Sequence, residues 1–294
     1  MLTRPVAPND LRVGHQLLPT ATRCLVMGVV NVTPDSFSDG GRYADPEAAV
    51  AHGLALAEEG ADLLDLGGES TRPGSTGVDQ ATELARVLPV VERLAAATEV
   101  PLSIDTRKAA VARAALAAGA TMVNDVSAGR DDPEVLAAAA EAKAALVLMH
   151  MRGIPATMQD DPRYDDVVGE VEAFLAERRA AAEAAGVAPQ SLVVDPGIGF
   201  GKLDPHNYAL LAALPRLTRL GPPLMVGTSR KGFIGRALGG LGVDQREEGT
   251  AATVTWAVER GARIVRVHQV RSMLRVVRMT EALLAGAAAA EPPR

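Results

Sequence analysis

Apolar positions in this chain cluster in short runs, most of them closed by a polar residue at or near the loop that follows. A longer stretch with helical spacing follows each loop. The runs at 24–32, 61–66, 102–104, 121–123, 145–149, 192–194, 224–226 and 264–267 predict eight strands. The stretches between them predict helices at about 46–59, 80–97, 107–118, 133–142, 164–185, 205–220 (broken near Pro215), 247–260 and 271–284. Asp45, Pro46 and Glu47 read as an N-cap, a first-turn proline and an acidic first turn. Gly60, Gly119, Gly186 and Gly261 stop helices.

Continuously apolar strands separated by helices imply a parallel sheet covered by helices. Eight such units predict an α/β chain folded as a single (β/α)8 TIM barrel, with the active site at the C-terminal face of the strands. The competing architecture is a doubly wound open sheet, which would place a Gly-x-Gly-x-x-Gly turn after the first strand, and none occurs there. Residues 1–23 read as an N-terminal leader, a short hairpin across the barrel floor. Residues 24–285 form the barrel, and 286–294 a disordered tail.

Composition narrows the function. The 294 residues are 48% hydrophobic and only 3% aromatic, so the core is built from Ala, Val, Leu and Ile. A net charge of −6 without a basic block argues against nucleic acid as a partner. No apolar run is long enough to span a membrane, and the N-terminus lacks a signal-peptide pattern. Cys24 is the single cysteine, which excludes a disulfide framework and fits a reducing cytoplasm. Only four lysines stand against 26 arginines, so Lys231, inside a loop motif, stands out.

The predicted strand ends all carry polar groups: Asn31, Asp65 with the loop to Arg72, Asp105, Asn124, His150, Asp195, Lys231 after strand seven, and Arg266 with His268. Buried polar groups need partners. Carboxylates and an amide suit a planar heterocycle with N–H donors, while Arg72, Arg266 and His268 suit a phosphate or carboxylate. Competing structural readings stand beside this one. Asp105 is also a candidate helix cap, His150 and His268 are candidate structural imidazoles, and Glu69 is placed to pair with a rim arginine. The loop after Asn31 is built from ordinary turn formers, yet its length exceeds a simple strand-to-helix turn. No His-x-x-x-His spacing and no Gly-x-Ser-x-Gly elbow is present.

These motifs resemble the dihydropteroate synthase family of pterin-binding enzymes. The resemblance rests on Asn-Val-Thr-Pro-Asp-Ser-Phe-Ser-Asp-Gly-Gly (31–41), Gly-Gly-Glu-Ser-Thr-Arg-Pro-Gly (67–74), Ser-Ile-Asp-Thr (103–106) and Val-Asn-Asp-Val (123–126). It continues through Leu-Met-His-Met (148–151), Asp-Pro-Gly-Ile-Gly-Phe-Gly-Lys (195–202), Gly-Thr-Ser-Arg-Lys (227–231) and Arg-Val-His (266–268). It implies a folate-pathway transferase that condenses 6-hydroxymethyl-7,8-dihydropterin diphosphate with 4-aminobenzoate. The same resemblance implies a Mg2+-dependent, homodimeric sulfonamide target.

Residue by residue, it assigns the pterin to Asp105, Asn124, Asp195, Lys231 and Arg266. Diphosphate falls to Asn31, Thr71, Arg72, Arg266 and His268, with Asn31 also the metal ligand. The aminobenzoate falls to Phe37, Thr71, Pro73, Phe200 and Ser229. Asp105, Asp195, Lys231, Arg266 and Asn31 carry the catalysis, and the loops after Asn31 and Gly67 act as a lid. Some relatives carry Ser where this chain has Gly232, which removes one side-chain contact. The alternatives are a pterin-dependent methyltransferase, which has no use for the two diphosphate-loop motifs, and a non-catalytic pterin-binding paralogue.

Overall fold

The computed structural model describes residues 8–33, 45–72 and 74–290. Strands β1 (Leu11–Val13) and β2 (Gln16–Leu18) form an antiparallel hairpin. The barrel strands follow as β3 (Leu25–Asn31), β4 (Leu63–Gly67), β5 (Leu102–Asp105) and β6 (Met122–Asp125). Then come β7 (Ala145–Met149), β8 (Leu192–Asp195), β9 (Met225–Val226) and β10 (Ile264–Val267). All eight barrel strands pair in parallel in the order β8-β7-β6-β5-β4-β3-β10-β9. A parallel bridge from Val194 to Leu224 brings the two ends of the sheet together. The eight-unit barrel read from the apolar runs is the observed architecture.

Strand side chains alternate, so each strand presents one set inward and one outward. Leu25, Met27, Leu63, Met122, Ala145, Val147, Val193, Met225 and Ile264 share one buried cluster inside the barrel. Their neighbours Val26, Leu64, Val123, Leu146 and Val265 belong instead to the outer layer beneath the helices. Leu11 and Val13 of the hairpin are buried in the inner cluster, so the hairpin plugs the floor of the barrel as expected of the leader.

Counting up each strand in steps of two from the inner apolar layer reaches Asp65 from Leu63, Asn124 from Met122, Met149 from Val147, Asp195 from Val193 and Arg266 from Ile264. Asp105 pairs with Asn124 in the register and lies level with them. A barrel apolar at its base thus turns polar one layer up.

The helices follow local signals. Asp45 caps Pro46–Glu58, its carboxylate accepting the Glu47 N–H at 2.9 Å, and Asp79 caps Gln80–Ala97 through the Thr82 N–H at 2.8 Å. The stretch at 205–220 is split into Asp204–Ala212 and Leu214–Leu217, with a 3-10 turn at Thr218–Leu220. A short helix at Gly232–Ala237 has no counterpart in the sequence reading, because six residues are too few for a periodic signal. The last helix, Val270–Ala290, continues past the point where a disordered tail was expected. Among the described residues no helix is long and apolar enough to cross a membrane.

Candidate active site

A cleft of about 1790 Å3 opens at the C-terminal face of the strands. That exceeds the roughly 300–1,000 Å3 of a pocket for one small ligand. Asp105, Asn124, Asp195 and Arg266 form its floor, with Lys231 and His268 beside them. Asn31, Thr71, Arg72, Phe200 and Ser229 line it higher up. Every described residue that the resemblance assigns to the site therefore lines this one cleft, whereas the strand-end candidates Asp65 and His150 do not. Phe37 and Pro73 lie outside the described residues, as does the expected lid segment after Thr33.

The floor is a hydrogen-bonded charge cluster. Asp65, fully buried, accepts the Arg266 Nε–H at 2.6 Å and the Asn124 Nδ2–H at 2.9 Å on the same oxygen. Arg266 Nη2 donates to Asp105 Oδ2 at 3.1 Å, so two carboxylates hold one guanidinium in the floor. Burial, and then the neighbouring Asp65 carboxylate, push the Asp105 carboxyl above the usual range. Burial also raises Asp195, opposed first by the nearby Lys231 and then by the Gly197 N–H, which donates to its Oδ1 at 2.6 Å. Asn124 Oδ1, on a residue that lines the cleft, and Asp65 Oδ1, fully buried, are acceptors with no protein donor.

Asp105 does not cap the following helix. That helix starts at Ala109, whose N–H donates to Asp132 at 2.8 Å instead. Lys231 Nζ donates to the Ile198 carbonyl and lies 4.7 Å from the centre of the Phe200 ring. Burial lowers its pKa to about 8. Arg230, just before it, sits at φ 59, a left-handed conformation that costs a non-glycine residue free energy. Thr250 Oγ1 accepts its N–H at 3.2 Å and Arg246 Nη1 donates to its carbonyl at 2.8 Å, which holds this turn in place.

The two strand-end histidines differ. His268 lines the cleft, with its Nδ1 3.0 Å from Ser229 Oγ and its backbone N–H donating to the same oxygen at 3.2 Å. The Ser229 hydroxyl, expected at the aminobenzoate, is thus engaged by His268. Burial, and then Arg266, hold the His268 imidazole at a pKa of about 3. His150 faces away from the cleft. Met149 takes the inward position instead, and His150 packs edge-on to Phe174 with ring centres 4.9 Å apart. Of the two readings for His150, the structural imidazole holds.

At the rim, Glu69 pairs with Arg107 and with Lys108 at 2.6 Å, as the structural reading of Glu69 anticipated. Met149, Val126 and Gln159 are among the cleft residues that escaped the sequence reading. The two-residue spacing from Val147 was the signal for Met149. Nothing local marks Val126, which faces the Phe200 ring, or Gln159, whose Nε2 donates to the Gly199 carbonyl at 2.6 Å.

Known proteins share this arrangement. The family model for pterin-binding enzymes matches residues 27–268. A dihydropteroate synthase of Mycobacterium leprae is 51% identical over 265 residues, 88% of this chain and 93% of that protein. A Xanthomonas albilineans dihydropteroate synthase solved with 4-aminobenzoic acid superposes with a TM-score of 0.87 at 51% identity, covering 97% of this chain and 100% of that one. The same enzyme in complex with 7,8-dihydropteroate gives 0.84 at 49% identity, covering 96% and 100%.

Proposed function

The chain belongs to the pterin-binding enzyme family, and we infer that it acts as a dihydropteroate synthase, joining 6-hydroxymethyl-7,8-dihydropterin diphosphate to 4-aminobenzoate with release of diphosphate. The observation that carries this reading is the inward polar layer, Asp105, Asn124, Asp195 and Arg266, at the base of a cleft with room for two substrates. In the reaction the bond between the exocyclic methylene carbon and the diphosphate oxygen breaks. The aryl nitrogen then attacks that carbon and loses a proton.

The pterin edge pairs with Asp105, Asn124, Asp195 and Lys231, the Asn124 carbonyl being an acceptor left without a protein donor. Arg266, held by Asp65 and Asp105, stacks on the ring and offers its charge to the diphosphate. Burial raises both carboxyl groups, and positive charge developing on the pterin methylene favours their ionised forms, which in turn offset that charge. Asn31, Thr71, Arg72 and His268 complete the diphosphate seat, with His268 neutral and acting as a hydrogen-bond partner. Phe200 and the turn around Ser229 face the second substrate, and the resemblance assigns Phe37 and Pro73, which lie outside the described residues, to the same substrate. An arylamine is uncharged at neutral pH, so no strong general base is needed.

Among the described residues no three His, Cys, Asp or Glu side chains converge to cage a metal. The donor set suits Mg2+ held by diphosphate oxygens, water and the Asn31 amide, since this ion keeps most of its waters. Bound there, it would neutralise charge on the leaving group. A homodimer in the cytoplasm completes the reading, in keeping with the single buried thiol. The test is diphosphate release by the purified chain. Release that requires both substrates and yields dihydropteroate supports the synthase. A folded protein that binds pterin without turnover refutes it.

A further inference from the structure

Lys202 is 1% exposed and has no carboxylate within ion-pair reach among the described residues. Such burial is costly unless the group's hydrogen-bonding capacity is met. Its Nζ lies 2.9 Å from His150 Nδ1, 3.2 Å from the His150 carbonyl, 2.9 Å from the Gly197 carbonyl and 3.0 Å from the Phe200 carbonyl. These four partners belong to two segments, the exit of β7 and the loop that follows β8.

The loop is pressed against its neighbour. At Gly197, φ 65, and at Gly201, φ 61, a Cβ would collide with the carbonyl oxygens of His150 and Arg152. The amine therefore stands at the seam between two strand exits in backbone contact. What the loop presents on its other side is the site. The Ile198 carbonyl receives Lys231, and the Phe200 ring packs on Val126, Met149, Met151 and Met158 beneath the same lysine.

We propose that Lys202 is a positioning residue for the second substrate: it ties loop 197–201 to the exit of β7 and so sets the Phe200 ring against which the aminobenzoate lies. Lys202 acts through the loop, its amine being engaged by these four protein atoms. This rests on the synthase reading, and the experiment separates the two. Lys202→Met keeps the apolar stem and removes the amine. KM for 4-aminobenzoate should rise about tenfold, while kcat at saturation and the affinity for 6-hydroxymethyl-7,8-dihydropterin diphosphate stay within about threefold.

A KM for aminobenzoate within twofold of wild type overturns the proposal. An equal loss for both substrates also overturns it, because that is the mark of general loosening. If Lys202→Met does not fold, Tyr164→Phe serves in its place. The Tyr164 hydroxyl donates to the Gly201 carbonyl at 2.8 Å on the same loop. Its loss should raise KM for aminobenzoate about threefold with pterin affinity unchanged, and no rise refutes the loop's role. A wild-type chain that makes no dihydropteroate refutes the synthase reading itself, a result distinct from any of these.

Discussion

Replacing Arg266 by methionine removes the one cation between two buried carboxylates while keeping most of the side chain's volume. Removing one partner of a buried ion pair costs about 3–5 kcal/mol. The lower end applies here. The Arg266 side chain is 24% exposed in the cleft, and Asp65 keeps its hydrogen bond from Asn124. We expect a loss of about 3 kcal/mol at pH 9, where Asp105 of the wild type is ionised.

The pH dependence identifies the cause. Without the guanidinium, the folded-state pKa of Asp105, already raised by burial and Asp65, rises further. A carboxyl raised in the folded state contributes stability that is present at low pH and lost as pH climbs through its folded value. The penalty of Arg266→Met should therefore be larger at pH 9, above the wild-type Asp105 pKa of about 8, than at pH 5. Urea unfolding at the two pH values measures it. With a slope of about 3 kcal/mol per molar, the midpoint should fall by about 1 M at pH 9 and by less at pH 5. A shift under about 0.3 M, or one equal at both pH values, would refute the idea that Arg266 holds apart two uncompensated buried charges.

Arg72→Ala should lower kcat by about a hundredfold while leaving pterin affinity within about threefold, and an unchanged kcat would remove Arg72 from the leaving-group seat. Lys231 has its pKa lowered to about 8, so its ammonium is lost as pH rises through that value; pterin affinity should decline above pH 8, and Lys231→Arg should abolish the decline in a fluorescence titration. His150 is held at a pKa of about 2, largely by burial and then by Lys202. Because that lies below the unfolded value of about 6.5, stability present above pH 6.5 is lost as pH falls, at up to about 1.4 kcal/mol per pH unit. His150→Gln should flatten that acid slope in denaturant titrations, and an unchanged slope would mean that His150 takes up its proton in the folded state. Gly197→Ala, at φ 65 and against the His150 carbonyl, should cost about 2–4 kcal/mol, read as a fall in Tm.

The barrel was legible because its strands are apolar on both faces, a pattern unlike an alternating half-buried sheet. The site was legible where polar residues interrupt that pattern. What misled was counting from the end of each apolar run instead of stepping by two along the strand. By the first measure His150 is a strand-end site residue, whereas by the second Met149 faces the cleft and His150 turns outward. Asp65 was visible as a rim residue, but its part as the anchor of Arg266 depends on a partner 201 residues away. The role of Lys202 was equally hidden, since three of its four partners are backbone carbonyls and carry no side-chain signature.

The alternation that lifts Asp65, Asn124, Asp195 and Arg266 two residues above the inner apolar layer works like a reading frame. Lengthening any of these strands by one residue would turn its site group outward and bring an aliphatic neighbour into the cleft, whatever else was preserved. Lengthening by two would restore the direction but raise the group by one layer. The loops above carry no such arithmetic. Divergence among relatives is therefore free to alter loop length, and with it the mouth of the cleft, while strand length below stays locked to parity.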